Sequence, residues 1–111
     1  MEFQYETKTG SLRIFTPREI DECAASEMRE EADMLIDNYQ IRHLIFDFTN
    51  TEFMDSSGIG MIMGRYKNMR FMGGTVIAIR VSERIRRILT LSGVYKVIDI
   101  YEGLPLQSNI F

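Results

Sequence analysis

The chain reads as an α/β protein: a mixed sheet that opens with an antiparallel hairpin and continues as alternating βα units, with helices mainly on one face. Three features predict this. Leu44-Ile45-Phe46 is apolar on successive residues rather than on alternate ones, as expected of a central parallel strand, and Thr75 to Val81 is a second run of the same buried type. Helical patterns, with apolar positions three and four apart, come between and after these runs. The first fifteen residues instead hold two short mixed segments around Thr9-Gly10-Ser11, which reads as a hairpin turn. Right-handed crossovers in a sheet that grows steadily in one direction place successive helices on one face.

In order along the chain, residues 3–8 and 11–15 form the antiparallel pair, with Leu12 and Ile14 alternating with Ser11, Arg13 and Phe15. Thr16-Pro17-Arg18-Glu19 has the form of a capping box with Pro at the first helical position, so a helix could begin there at once. The clearer stripe is Ala25, Met28, Ala32, Leu35 and Tyr39, which places the first helix from about residues 21–23 to Asn38. Ile41 to Phe48 is the next strand, and Asp47 interrupts it near its end, where a carboxylate could reach solvent or a neighbouring loop. A second helix starts at Ser56 or Ser57 and carries Ile59, Met61, Ile62, Met63, Tyr66 and Met69. Gly60 and Gly64 share one face of it; glycine weakens a helix, and close helix–sheet approach is the simplest reason for the pair. Gly73-Gly74 ends this helix. Ser82 followed by Glu83 caps a third, with Ile85, Ile88, Leu89 and, at its margin, Leu91 inward, and Arg84, Arg86 and Arg87 outward. Val94 to Ile100 reads as a last strand. In the tail from Glu102 to Phe111, Pro105 limits any helix to a short one.

At 111 residues the chain suits one domain spanning residues 1–111. A net charge of −3 speaks against direct nucleic-acid binding, which needs a basic surface. The single cysteine, Cys23, forms no internal disulfide, and the composition fits a reducing cytoplasm. The N-terminal residues lack the basic flank and apolar core of a signal peptide, and no apolar run is long enough to span a bilayer, so no membrane partner is expected.

No catalytic apparatus is expected. Gly58-x-Gly60-x-x-x-Gly64 departs from the dinucleotide fingerprint, since Thr49 to Ser57 intervene after the strand and the last spacing is longer by one. No Gly-Lys-Ser/Thr P-loop occurs. Ser57 has Asp55 rather than Gly two residues before it, so it is not a nucleophile elbow. His43 begins the strand that leads toward the serines and lies at its far end. Cys23, His43, Asp47 and Asp55 suggest no metal site, and no cofactor is expected. The methionines suit core filling, although Met61, Met63, Met69 and Met72 on one helix could also form an adaptable partner surface.

Asp55, Ser56 and Ser57 remain. Small polar side chains between a buried strand and a helix sit where free N–H groups and the positive end of the dipole favour negative charge. Any of the three could cap the helix.

The block Phe53-Met54-Asp55-Ser56-Ser57-Gly58-Ile59-Gly60, followed by Gly64-Arg65-Tyr66-Lys67, closely resembles the anti-sigma factor antagonists of the STAS domain family, most of all those of sporulation that act on the F-type sigma factor. The likeness runs over most of the chain, including Gly73-Gly74 and Leu91-Ser92-Gly93. It implies a STAS-like mixed sheet and a regulatory protein switched by phosphorylation. By resemblance Ser57 is phosphorylated by an anti-sigma factor serine kinase that uses ATP. The unphosphorylated form binds that kinase, with its bound nucleotide, and frees the sigma factor; a phosphatase resets the phosphorylated form. The resemblance also implies a contact surface of Asp55, Ser56, Ser57, Gly58, Ile59 and Gly60, joined by Asp21 from Arg18-Glu19-Ile20-Asp21. Two departures stand out: Arg18 replaces a family glycine behind a loop stiffened by Thr16-Pro17, and the tail with Gly103 and Pro105 is short for a final helix. Other readings are a STAS scaffold with another client, in stress signalling or lipid transport, and a small-molecule or nucleotide-binding module.

Overall fold

The computed structural model describes residues 1–105. β1 (Glu2–Glu6) and β2 (Ser11–Phe15) pair antiparallel, Glu2 opposite Phe15 and Glu6 opposite Ser11. β3 (Glu19–Ile20) leads into α1 (Glu22–Asn38), which is followed by β4 (His43–Asp47). β5 (Phe53–Met54) leads into α2 (Ser56–Phe71); β6 (Thr75–Ile79), α3 (Glu83–Leu91) and β7 (Asp99–Ile100) complete the order. The main sheet runs β1-β2-β4-β6-β7, all neighbours after the hairpin being parallel, and β3 with β5 forms a separate two-stranded ribbon.

Register explains the successive apolar residues of β4. Leu12, Leu44 and Val76 align across three strands, as do Ile14, Phe46 and Ala78. These six join buried residues of all three helices, among them Met28, Ala32, Met61, Ile62, Ile85 and Leu89, in one core. The intervening residues Ile45, Ile77 and Ile79 form a smaller buried cluster on the opposite face, with Tyr101 packed on it. Helices therefore occupy one face of the sheet, as the alternating βα order predicts.

Several details differ from the sequence reading. Thr16-Pro17-Arg18-Glu19 starts no helix; Thr16 Oγ1 donates instead to the Asp47 carbonyl at 3.0 Å, and the chain runs extended into β3. Ile36, not Tyr39, continues the buried stripe of α1, because Tyr39 lies past the last turn as the C-cap. Leu91 is 81% exposed. Val94 to Ile100 is not one strand: Gly93, at φ 83°, opens a 3-10 turn over Val94–Lys96, and only Asp99–Ile100 pairs with β6. Gly60 and Gly64 approach nothing, since a Cβ on either would meet open space. What the reading of the tail expects beyond residue 105 falls outside the described residues.

Candidate functional site

Because β2, β4 and β6 are parallel, the chain leaves their C-terminal ends on one edge of the sheet, and α1, α2 and α3 begin there. The ribbon then sets two of these helix starts side by side. Glu19 stands opposite Phe53 and Ile20 opposite Met54, and the Asp55 N–H extends the ladder by donating to the Ile20 carbonyl at 3.1 Å. The next residue of each strand is a helix N-cap. Asp21 (φ −97°, ψ −172°) and Asp55 (φ −96°, ψ −172°) share one backbone conformation. Asp21 Oδ1 accepts from the Ala24 N–H at 2.9 Å, and Asp55 Oδ1 from the Ser57 N–H at 2.8 Å. Asp21 is thus placed beside the Asp55-Ser56-Ser57 segment through the ribbon.

With Asp55 as cap, the two serines are released from that role. Ser56 is exposed and Ser57 half-buried, and neither hydroxyl is hydrogen-bonded among the described residues. The first turn of α2 carries no acidic side chain beyond the Asp55 cap, whose carboxylate faces the positive end of the dipole. Ile59 is half-buried and Gly60 exposed.

Gly58 is the buried hinge pin of the arrangement. A Cβ there would lie 2.3 Å from Met54 Cγ, 2.7 Å from its sulfur and 2.9 Å from Ile20 Cγ2. Ile20 and Met54 are both buried, so the underside of the ribbon rests directly on the first turn of α2. The glycine required for close approach is therefore Gly58, and its contact is the ribbon rather than the main sheet.

A buried polar network fixes the loops that feed the ribbon. Thr51 Oγ1 reaches the Pro17 carbonyl at 2.7 Å and the Thr16 hydroxyl at 2.5 Å, joining the β2–β3 and β4–β5 connections. Asp47 lies below them, almost fully buried, with Oδ2 accepting from Arg13 at 2.6 Å and Oδ1 from the Thr49 N–H at 2.9 Å. Burial pushes its carboxyl up, but the bonds from Thr49 and the Arg13 guanidinium outweigh this and hold it below the ordinary carboxylate range. Its reach is to the neighbouring loop, not to solvent.

His43 and Cys23 take no part in this arrangement. His43 starts β4, at the opposite end from the strand's exit toward the serines, and its Nδ1 pairs with Thr75 Oγ1 at 2.8 Å. Cys23 is exposed on the first turn of α1. Among the described residues, no group of three His, Cys, Asp or Glu side chains is placed to hold a metal, and no helix is long and apolar enough to cross a membrane.

Sequence reasoning missed Arg65. Its side chain is buried between α1 and α2 with Nε 2.8 Å from Asp33 Oδ1, and burial lowers its pKa. The signal was present: Gly58, Ile62, Arg65 and Met69 recur at steps of three and four along the buried side of α2. Phe53 was also missed as a surface feature. In a two-residue strand, inward Met54 obliges Phe53 to point outward, where it is 48% exposed.

Comparison with known proteins places this geometry. Residues 2–105 match the STAS domain family. An anti-sigma F factor antagonist of Paenibacillus polymyxa is 32% identical over 103 residues, covering 93% of this chain and 88% of the relative. An anti-sigma-B factor antagonist of Listeria monocytogenes is 29% identical over 98 residues, covering 86% and 82%. Among solved structures, the anti-sigma factor antagonist SpoIIAA in its unphosphorylated form matches with a TM-score of 0.77 and 27% identity over 89% of this chain and 87% of that one. The phosphorylated form of SpoIIAA from Bacillus matches with a TM-score of 0.69 and 26% identity, covering 89% and 90%.

Proposed function

The chain belongs to the STAS domain family, and from that premise we propose that it is an anti-sigma factor antagonist acting in the cytoplasm. Its unphosphorylated form binds an anti-sigma factor serine kinase, with that kinase's bound nucleotide, and releases the sigma factor. Phosphorylation of Ser57 ends the binding, and a phosphatase restores it. The protein performs no catalysis of its own. The contact surface is Asp21 with Asp55, Ser56, Ser57, Gly58, Ile59 and Gly60.

One observation carries this reading: the N-terminus of α2 is already capped by Asp55, so the Ser57 hydroxyl has no structural bond to give up. A phosphoserine adds about −1.5 to −2 charge and three acceptor oxygens. In the first turn of α2, which holds no acidic side chain beyond the Asp55 cap, that charge is tolerated by the dipole, so the fold persists. That the chain matches both forms of SpoIIAA supports this. The switch then works at the interface. A partner that meets the α2 N-terminus closely must strip water from the new charge or face it with nucleotide phosphates, and either opposes binding.

Competition tests the reading. Unphosphorylated protein is added to a complex of the kinase with its sigma factor, in the presence of nucleotide, and free sigma factor is measured. Release by the unphosphorylated form, and none by protein phosphorylated at Ser57, is expected. Release by neither form would overturn the antagonist reading.

A further inference from the structure

The outer face of the β3–β5 ribbon is partly open: Glu19 is exposed and Phe53 is 48% exposed. Ile20 and Met54 point inward, whereas Glu19 and Phe53, paired across the ribbon, point outward. The backbone at Phe53 is tied down. Its N–H donates to the Arg18 carbonyl at 3.2 Å, the Glu52 N–H donates to the same carbonyl at 2.8 Å, and the ribbon beneath is seated on Gly58. Outside, the exposed Arg18 guanidinium pairs with Glu52 at 2.7 Å. Glu19 stands opposite Phe53 across the ribbon and Glu52 precedes it in the chain; both are exposed, and Glu52 is paired with Arg18. Two residues separate Phe53 from Ser56.

We propose that Phe53 is the apolar anchor of the partner interface and that its acidic neighbours, Glu19 and Glu52, select a partner whose receiving pocket is rimmed by basic side chains. This rests on the antagonist reading and names the chemistry of the partner surface. An aromatic ring in a pre-ordered strand loses little conformational freedom on docking and can bury its area in a pocket, the profile of an interface hot spot. The charges act differently. They steer encounter with a basic rim and speed association, while dissociation is set by the anchor. Phosphate on Ser57 then arrives beside the anchor, at the centre of the contact rather than at its rim, where its desolvation opposes binding.

The test measures association and dissociation of the full-length wild type, Phe53→Thr and the double variant Glu19→Gln/Glu52→Gln with the nucleotide-loaded anti-sigma factor kinase of the same genome, over a range of salt. Threonine keeps the strand preference of the site. Phe53→Thr is expected to bind at least about tenfold more weakly, chiefly through faster dissociation. The double variant is expected to associate more slowly with a flatter salt dependence. Binding by Phe53→Thr within about twofold of wild type, or an unchanged salt slope in the double variant, overturns the proposal while leaving the antagonist reading in place. Failure of the wild type itself to bind overturns that reading and this one with it. Hydroxyl-radical footprinting of the wild-type complex removes dependence on any variant's folding: Phe53 protected supports the anchor, and Phe53 still reactive refutes it.

Discussion

Alanine at Gly58 places a methyl group where the structure has no room. Its Cβ would stand 2.3 Å from Met54 Cγ and 2.9 Å from Ile20 Cγ2, and both side chains are buried at 2% and 0% exposure. Relief requires Met54 to leave its rotamer or the ribbon to lift from α2, and overpacking of this kind costs about 1–3 kcal/mol. The gain in helix propensity from Gly to Ala is at most about 1 kcal/mol, and it is smaller in a first turn. The net expectation is a loss of about 1–2 kcal/mol, or roughly 4–12 °C in melting temperature for a domain of this size. Gly60→Ala and Gly64→Ala supply the control, because their Cβ atoms meet open space; each is expected to gain up to about 1 kcal/mol. Urea unfolding of the three variants gives the midpoints, and amide chemical shifts report whether Asp55 to Ile59 move in Gly58→Ala alone. A Gly58→Ala protein as stable as wild type, with unchanged shifts at the α2 N-terminus, would refute the close packing of ribbon on helix.

Asp55→Ala removes the α2 cap and is expected to cost about 1 kcal/mol, whereas Ser56→Ala and Ser57→Ala stay within about 0.5 kcal/mol of wild type by chemical denaturation. Between α1 and α2, Asp33→Ala leaves the buried Arg65 guanidinium uncompensated. It should cost about 2 kcal/mol or more, while Arg65→Met is close to neutral, an ordering that a double-mutant cycle checks directly. Asp47 makes stability depend on acid. Its folded-state pKa is depressed by Thr49 and Arg13, so the unfolded chain takes up the proton first. Its contribution is full above the ordinary carboxylate range, starts to fall near about pH 4 and is lost as pH drops through the lower folded value. Urea midpoints measured from pH 6 down to pH 2 should therefore decline more steeply for wild type than for Asp47→Asn.

Most of the architecture was legible because strong periodicity decided it. The successive apolar residues of β4 and β6 announced strands covered on both faces, and the three-and-four spacing in α1 and α3 announced amphipathic helices. Local signals misled where a tertiary contact outbid them. Thr16 and Glu19 satisfy the form of a capping box, yet the Thr16 hydroxyl is taken by Asp47 and Thr51 from a distant loop. The ribbon was invisible for the same reason: two residues per strand carry no period, and their pairing rests on Gly58 admitting Met54 and Ile20. Gly60 and Gly64 look like packing residues by spacing alone, but which face of α2 meets the sheet depends on where Ile62, Arg65 and Met69 are buried. At the site, the Asp55-Ser56-Ser57 block was readable, and the sequence left open which of the three capped the helix. Only the geometry assigns that cap to Asp55 and sets Asp21 next to it.

Intact mass with site mapping, after incubation with the anti-sigma factor kinase of the same genome and ATP, tests the central claim most directly, beside a Ser57→Ala control. A single added phosphate on Ser57, absent from the control, is the predicted result. An active kinase that leaves the protein unmodified, or that modifies Ser57→Ala equally well, would contradict the account and return Ser57 to an ordinary residue of the first turn of α2.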